Sequence, residues 1–225
     1  MTDFPFRIVG FDLDGTLLDT AYDIGHALNH ALAHVGRPLV PLDEARRFIG
    51  GGSAQMLHNA LMASGGLEGV DFAPLQERLL AFYADNIARH TALFPGGEAM
   101  LEALAARGVH LAVATNKRED LARRLFDALG LTARFATIIG GNTLGPGSAK
   151  PAPDMLHEMV ARCGGGRAVF VGDTTFDVGA ARAAAMPVIA VRFGFCDLPP
   201  DDLGADAVID HFDELVPTLE AIAAR

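Results

Sequence analysis

Two aspartates two positions apart, Asp12 and Asp14, end the short apolar run Ile8-Val9-Gly10-Phe11 and lead directly into Gly15. Carboxylates at the end of a buried strand are costly unless a metal ion or a cationic group compensates them. Glycine at that point allows a sharp backbone turn. Three further polar groups follow apolar runs in the same way. Thr115 and Asn116 come after Leu111-Ala112-Val113-Ala114, Lys150 after a Gly-rich loop, and Asp173 and Asp177 after Ala168-Val169-Phe170-Val171. Strand ends on one edge of a parallel sheet are where ligands bind. Carboxylates hold Mg²⁺, which favours oxygen. A hydroxyl and helix-start N–H groups hold phosphate oxygens, and a lysine neutralises charge. Together the set suits metal-assisted phosphoryl transfer.

Each piece alone has a plainer reading. A calcium loop would need a third oxygen ligand at position five, glycine at six and glutamate at twelve. Here glycine stands at position four and Asp23 at twelve, so that reading fails, and a turn with Asx capping remains. Thr115-Asn116 could be a helix N-cap, Lys150 before Pro151 a solvated side chain, and Asp173 to Asp177 an N-cap with an acidic first turn. Order and shared position on strand ends favour the chemical reading. His26, His30 and His34 recur every four residues but project away from the Ile24-Leu28-Val35 stripe, which suggests a solvated face. Residues 140–145 have P-loop spacing, but Pro146 stands where the lysine is needed. The basic run Asn116-Lys117-Arg118, with Arg123-Arg124 beyond, reads as a helix surface.

The elements that must position these groups follow from periodicity. Apolar residues at helical spacing predict helices over 20–35, 42–48, 54–62 and 75–87, with no convincing strand between residues 20 and 90. After Phe94-Pro95-Gly96-Gly97 the texture changes to alternation. Strands are expected at 109–114, 136–139, 168–171, 188–191 and 206–209, and helices at 98–107, 119–129, 154–163, 177–185 and 213–224. Such alternation predicts a Rossmann-like parallel sheet covered on both faces. The strand at 8–11 joins that sheet although a helical block separates it. The expectation is therefore an α/β core formed by residues 1–19 and 91–225, with an all-helical cap over residues 20–90.

Composition limits the partners. The chain has 225 residues, half of them hydrophobic, and a net charge of -10, which argues against a nucleic-acid binder. Only Cys163 and Cys196 are present, without metal-ligand spacing, as in a reducing cytosol. No basic flank with a long apolar stretch opens the chain, and no apolar run is long enough to span a membrane. A cytoplasmic protein, monomeric or homodimeric, is expected.

With these motifs in place the sequence resembles the haloacid dehalogenase superfamily, specifically its phosphatases with a helical cap after the first motif. Asp12-Leu13-Asp14-Gly15-Thr16 matches the first motif, Thr115-Asn116 the second, Lys150-Pro151 the third, and Gly172-Asp173 through Asp177 the fourth. The resemblance covers nearly the whole chain and looks closest to phosphoglycolate phosphatases. It implies a phosphate-monoester hydrolase acting on a small phosphorylated metabolite, 2-phosphoglycolate above all. Asp12 would attack phosphorus to give an aspartyl-phosphate, and Asp14 would act as acid and then base. Mg²⁺ would be held by Asp12, Asp173 and the Asp14 carbonyl, with Asp177 behind them. Thr115, the Asn116 N–H and Lys150 would hold the phosphoryl oxygens. In the cap, Arg46, Arg47 and the loop through Gly51 resemble a substrate loop, though Gly51 stands where asparagine is often found. A phosphomutase, a phosphatase for another sugar phosphate and a dehalogenase share the core motifs. A dehalogenase needs no acid at Asp14, a phosphonate hydrolase needs a cap lysine that residues 20–90 lack, and a non-catalytic binding protein would not need every catalytic position filled.

Overall fold

The computed structural model describes residues 4–224. Its centre is β1 (Ile8–Phe11), fully buried along its length. A strand covered on both faces needs apolar residues in both directions, and this one supplies them. Val9 and Phe11 face one cluster of the core, while Ile8 faces the other. Gly10 lies under Met159, which leaves no room there for a side chain.

On either side of β1 run β4 (His110–Thr115) and β6 (Ala168–Gly172), both parallel to it. The sheet continues through β5 (Thr137–Gly140) on one flank, and through β7 (Val188–Val191) and β8 (Ala207–Ile209) on the other. The order is β5-β4-β1-β6-β7-β8, so the winding reverses direction beside β1. A crevice at the carboxyl ends of strands belongs at such a reversal. Register makes this specific. Phe11 pairs with both Val113 and Val171, so Asp12, Thr115 and Asp173 emerge together at one edge.

Helices α4 (Gly97–Ala105), α5 (Glu119–Ala128), α6 (Asp154–Arg162), α7 (Thr175–Ala183) and α8 (Leu215–Ala223) cover the sheet. The helical block comprises α1 (Ala21–His34), α2 (Ser53–Ala63) and α3 (Phe72–Asp85). Ile24, Leu28, Ala31 and Leu32 of the expected stripe are buried against Leu57, Leu75 and Leu79, and Val35 packs at the edge. Residues 42–48 form only a short 3₁₀ turn, Ala45–Phe48, rather than a longer helix. The third helix starts earlier than the pattern suggests because Asp71 precedes it and Pro74 fits the first turn. The block is joined to the sheet by two strands that the sequence does not announce. β2 (Leu18–Asp19) pairs antiparallel with β3 (Ala92–Leu93), bringing entry and exit of the block side by side. Among the described residues no helix is long and apolar enough to cross a membrane.

Candidate active site

The turn after β1 is built to keep two aspartates apart. Asp12 continues the strand, its N–H bonded to the Val171 carbonyl at 2.9 Å. Gly15 then takes φ +83°, where a Cβ would meet Asp173 at 2.4 Å and the Phe195 ring at 2.8 Å. Only glycine supplies that backbone shape without strain, and here no other residue would fit beside the carboxylate.

Asp12, Asp173 and Asp177 are buried with ligand oxygens all within 4.8 Å of one another. The lysine that answers them is Lys150, 3 % exposed rather than solvated. Its ammonium lies 2.8 Å from Asp12 Oδ1 and 2.6 Å from Asp177 Oδ1. Burial pulls Lys150 toward its neutral form, but Asp12 and Asp177 outweigh it and raise its pKa. Burial is also the largest influence on Asp12, only partly offset by Lys150, and lifts it from the ordinary aspartate range to about 6. Asp173 is pushed well up by burial and then by the charges of Asp177 and Asp12. Both carboxylates are therefore short of positive charge.

Two of the three are oriented by protein donors. Asp173 accepts from the Thr16 hydroxyl at 2.7 Å and from the Phe195 N–H at 2.8 Å. Asp177 Oδ2 accepts from the N–H groups of Asp173 and Thr174 and from the Thr174 hydroxyl, closing a capping box on α7. Asp177 thus caps α7 while standing beside Asp12 and Asp173. Asp12 Oδ1 receives no well-directed hydrogen bond despite its burial. Three buried carboxylates facing one ammonium, with oxygen as the sole donor type, fit a hard divalent cation. Asp12 and Asp173 are the residues with capacity left for it, and Asp177 is already engaged.

Thr115, 1 % exposed, ends β4 and accepts the Lys117 N–H at 3.2 Å. A hydroxyl in that role still has its proton to give. The Asn116 side chain ties three segments together. Its amide donates to the carbonyls of Gly50 and Lys150, and its oxygen accepts the Lys150 N–H at 2.8 Å.

Asp14 brings a correction. Lys117, read from the sequence as part of a helix surface, is buried, its side chain 6 % exposed, and binds both Asp14 oxygens at 2.8 and 3.0 Å. Thr20 adds a hydroxyl to Oδ1 at 2.8 Å. The Lys117 ammonium also lies 4.5 Å from the ring centre of Tyr83 on α3. Burial disfavours its charge, but Asp14 and Tyr83 prevail and its pKa is raised. Tyr83 in turn is pushed up to about 12, chiefly by burial. The only sequence signal for Lys117 was its place two residues after the strand-end threonine, and none marked Tyr83.

Above the carboxylates a cavity of ≈ 60 Å³ opens between core and helical block. It is floored by Asp12, Asp14 and Thr115 and walled by Ile24, Met56, Leu79 and Tyr83. Gly50 and Gly52 reach it, whereas Gly51 packs beside Gln55. Arg46 and Arg47 are not brought to it. Both are exposed; Arg46 bonds the Asp43 carbonyl and Arg47 pairs with Glu44. The histidines of α1 do not gather either. His26 stacks on His90 and His30 on Phe82.

Known proteins share this layout. The family model described as haloacid dehalogenase-like hydrolase matches residues 9–191. A phosphoglycolate phosphatase of Agrobacterium fabrum is 40% identical over 225 residues, covering 97% of this chain and 95% of that protein. One from Mesorhizobium japonicum is 41% identical over 220 residues, covering 94% of each. Among solved structures, one described as a predicted phosphoglycolate phosphatase from Haemophilus somnus 129PT superposes with a TM-score of 0.87 at 27% identity, covering 95% of this chain and 98% of that one. With the family model spanning most of the chain and the buried aspartate cluster in place, the chain belongs to the haloacid dehalogenase-like hydrolases.

Proposed function

We propose that this protein is a Mg²⁺-dependent phosphatase that hydrolyses a small phosphate monoester, with 2-phosphoglycolate as its substrate. The observation that carries the reading is the buried grouping of Asp12, Asp173 and Lys150 beneath a cavity holding Asp14 and Thr115. The name shared by the relatives supplies the substrate. A core of residues 1–19 and 91–225 and a cap of residues 20–90 are part of the same proposal.

Asp12 attacks phosphorus, forming the aspartyl-phosphate as the ester bond breaks. Asp14 gives a proton to the departing oxygen and then takes one from the water that cleaves the acyl phosphate. Thr115, the Asn116 N–H and Lys150 hold the phosphoryl oxygens as charge redistributes. Mg²⁺, held by Asp12, Asp173 and the Asp14 carbonyl, would offset the repulsion between carboxylate and phosphate. The cap excludes water from the cavity, which strengthens each of these charge interactions.

The reading is tested by comparing kcat/KM over a panel of phosphate monoesters with Mg²⁺ and with EDTA. Metal-dependent turnover with 2-phosphoglycolate leading the panel is expected. Equal activity with EDTA, or a preference for bulky sugar phosphates, would contradict it.

A further inference from the structure

The cavity has an uneven chemistry. Its cap walls are largely apolar, Ser53 and Tyr83 apart, and no arginine of residues 20–90 lines it. The lining cations are Lys117 and Arg118, both from the core loop after β4. Arg118 is half exposed and spends its guanidinium on Asp120. The Lys117 side chain is buried, and the carboxylate it pairs with is Asp14. Beside it Tyr83 lines the same cavity, and its buried hydroxyl, next to the Lys117 ammonium, has no acceptor for its proton. An ammonium and a phenol that donates its proton to no acceptor, adjacent in one cavity, form a receptor for an anionic oxygen.

We infer that Lys117 and Tyr83 read a carboxylate on the tail of the substrate, and that this carboxylate replaces Asp14 as the partner of Lys117. The inference rests on the phosphatase reading and adds to it the source of specificity. With no substrate bound, Lys117 holds both oxygens of Asp14. An acid/base must present an oxygen to the ester bridge, and one clasped on both sides by an ammonium is poorly placed to do so. In an ester whose carboxylate lies one carbon from the bridging oxygen, that carboxylate enters beside Asp14 and competes for the same ammonium. Lys117 turns to it, Tyr83 donates its free hydroxyl, and Asp14 is released toward the ester oxygen. No bond forms or breaks in this exchange of ion-pair partners. A neutral tail offers Lys117 nothing, and Asp14 stays clasped.

The test compares 2-phosphoglycolate with its carboxamide, which has nearly the same shape and no tail charge. Wild-type enzyme is expected to favour the acid by about a hundredfold in kcat/KM, the range of a charged hydrogen-bonded contact. Lys117→Met should reduce that preference at least about tenfold, chiefly by raising KM for the acid. Lys117→Arg should retain part of it. Tyr83→Phe, which keeps the ring, should raise KM for the acid a few-fold and by less for the amide, whose carbonyl is the weaker acceptor. Equal losses on both esters in Lys117→Met would show that Lys117 only orients Asp14, and would overturn the inference. So would a wild type that does not distinguish the two, a result that needs no variant to fold. A wild type inactive on both esters would instead overturn the phosphatase reading, and this inference with it.

Discussion

In the proposed mechanism Asp12 has two duties that conflict at low pH. It must be ionised to attack phosphorus and to hold a cation, yet its burial lifts its pKa to about 6. In the metal-free protein, between about pH 4 and pH 6, the folded state keeps a proton that the unfolded chain has lost. Asp12 therefore contributes stability below about pH 4 that is lost as pH rises through 6. A bound cation reverses this, because it requires the carboxylate and expels the proton. The expected outcome is that Mg²⁺ affinity, followed by calorimetry, is flat above about pH 7. It should fall below pH 6, by up to about tenfold per pH unit for one displaced proton. Asp173, raised in the same direction, can only steepen that fall. An affinity unchanged from pH 7.5 to about 5 would show that these carboxylates do not hold the metal.

At the scale of elements, one buried side chain reinforces the junction of the helical block with the sheet. Asp23, in the first turn of α1 and 2 % exposed, accepts from the N–H groups of His90 and Thr91 and from the Thr91 hydroxyl. It fastens the start of the cap to the segment that leaves it, just beyond the β2–β3 pair. Replacing Asp23 by alanine strands buried donors, at about 1–3 kcal/mol each when unsatisfied. Thermal unfolding should shift down by roughly 5–10 °C for a domain of this size. A shift under about 1 °C would mean that the carboxylate is dispensable. Nothing in the sequence announces this fastening. Asp23 reads as an ordinary acidic residue in a first turn, and its partners lie 67 and 68 positions away. The strand-end groups are different. Asp12, Thr115 and Asp173 are legible because polar residues directly after buried apolar runs stand out, and the parallel register then aligns them. Lys117 is not, since a lysine in a basic run looks the same whether solvated or folded inward onto Asp14. Arg46 and Arg47 mislead for a related reason. Proximity to the glycine loop says nothing about direction, and the 3₁₀ turn there presents them to solvent.

Over the whole molecule, the proposed division of labour is between the parallel sheet and the helical block, which share one hydrophobic cluster. The parallel sheet gathers residues from β1, β4 and β6 at one edge, where rigid strands can hold the reacting groups in place. The helical block closes over them with an apolar roof and contributes Tyr83. A fold alone does not fix a reaction; in the proposed mechanism the nucleophile at the end of β1 does. Trapping it is the most direct test. The enzyme is mixed with Mg²⁺ and p-nitrophenyl phosphate, quenched in acid within one turnover, and its peptides are weighed. A single phosphoryl group on Asp12 is expected. It should be more abundant in Asp14→Asn, which cannot activate water, and absent from a folded Asp12→Asn variant that no longer turns over. Phosphate on another residue, or undiminished turnover by Asp12→Asn, would contradict the assignment.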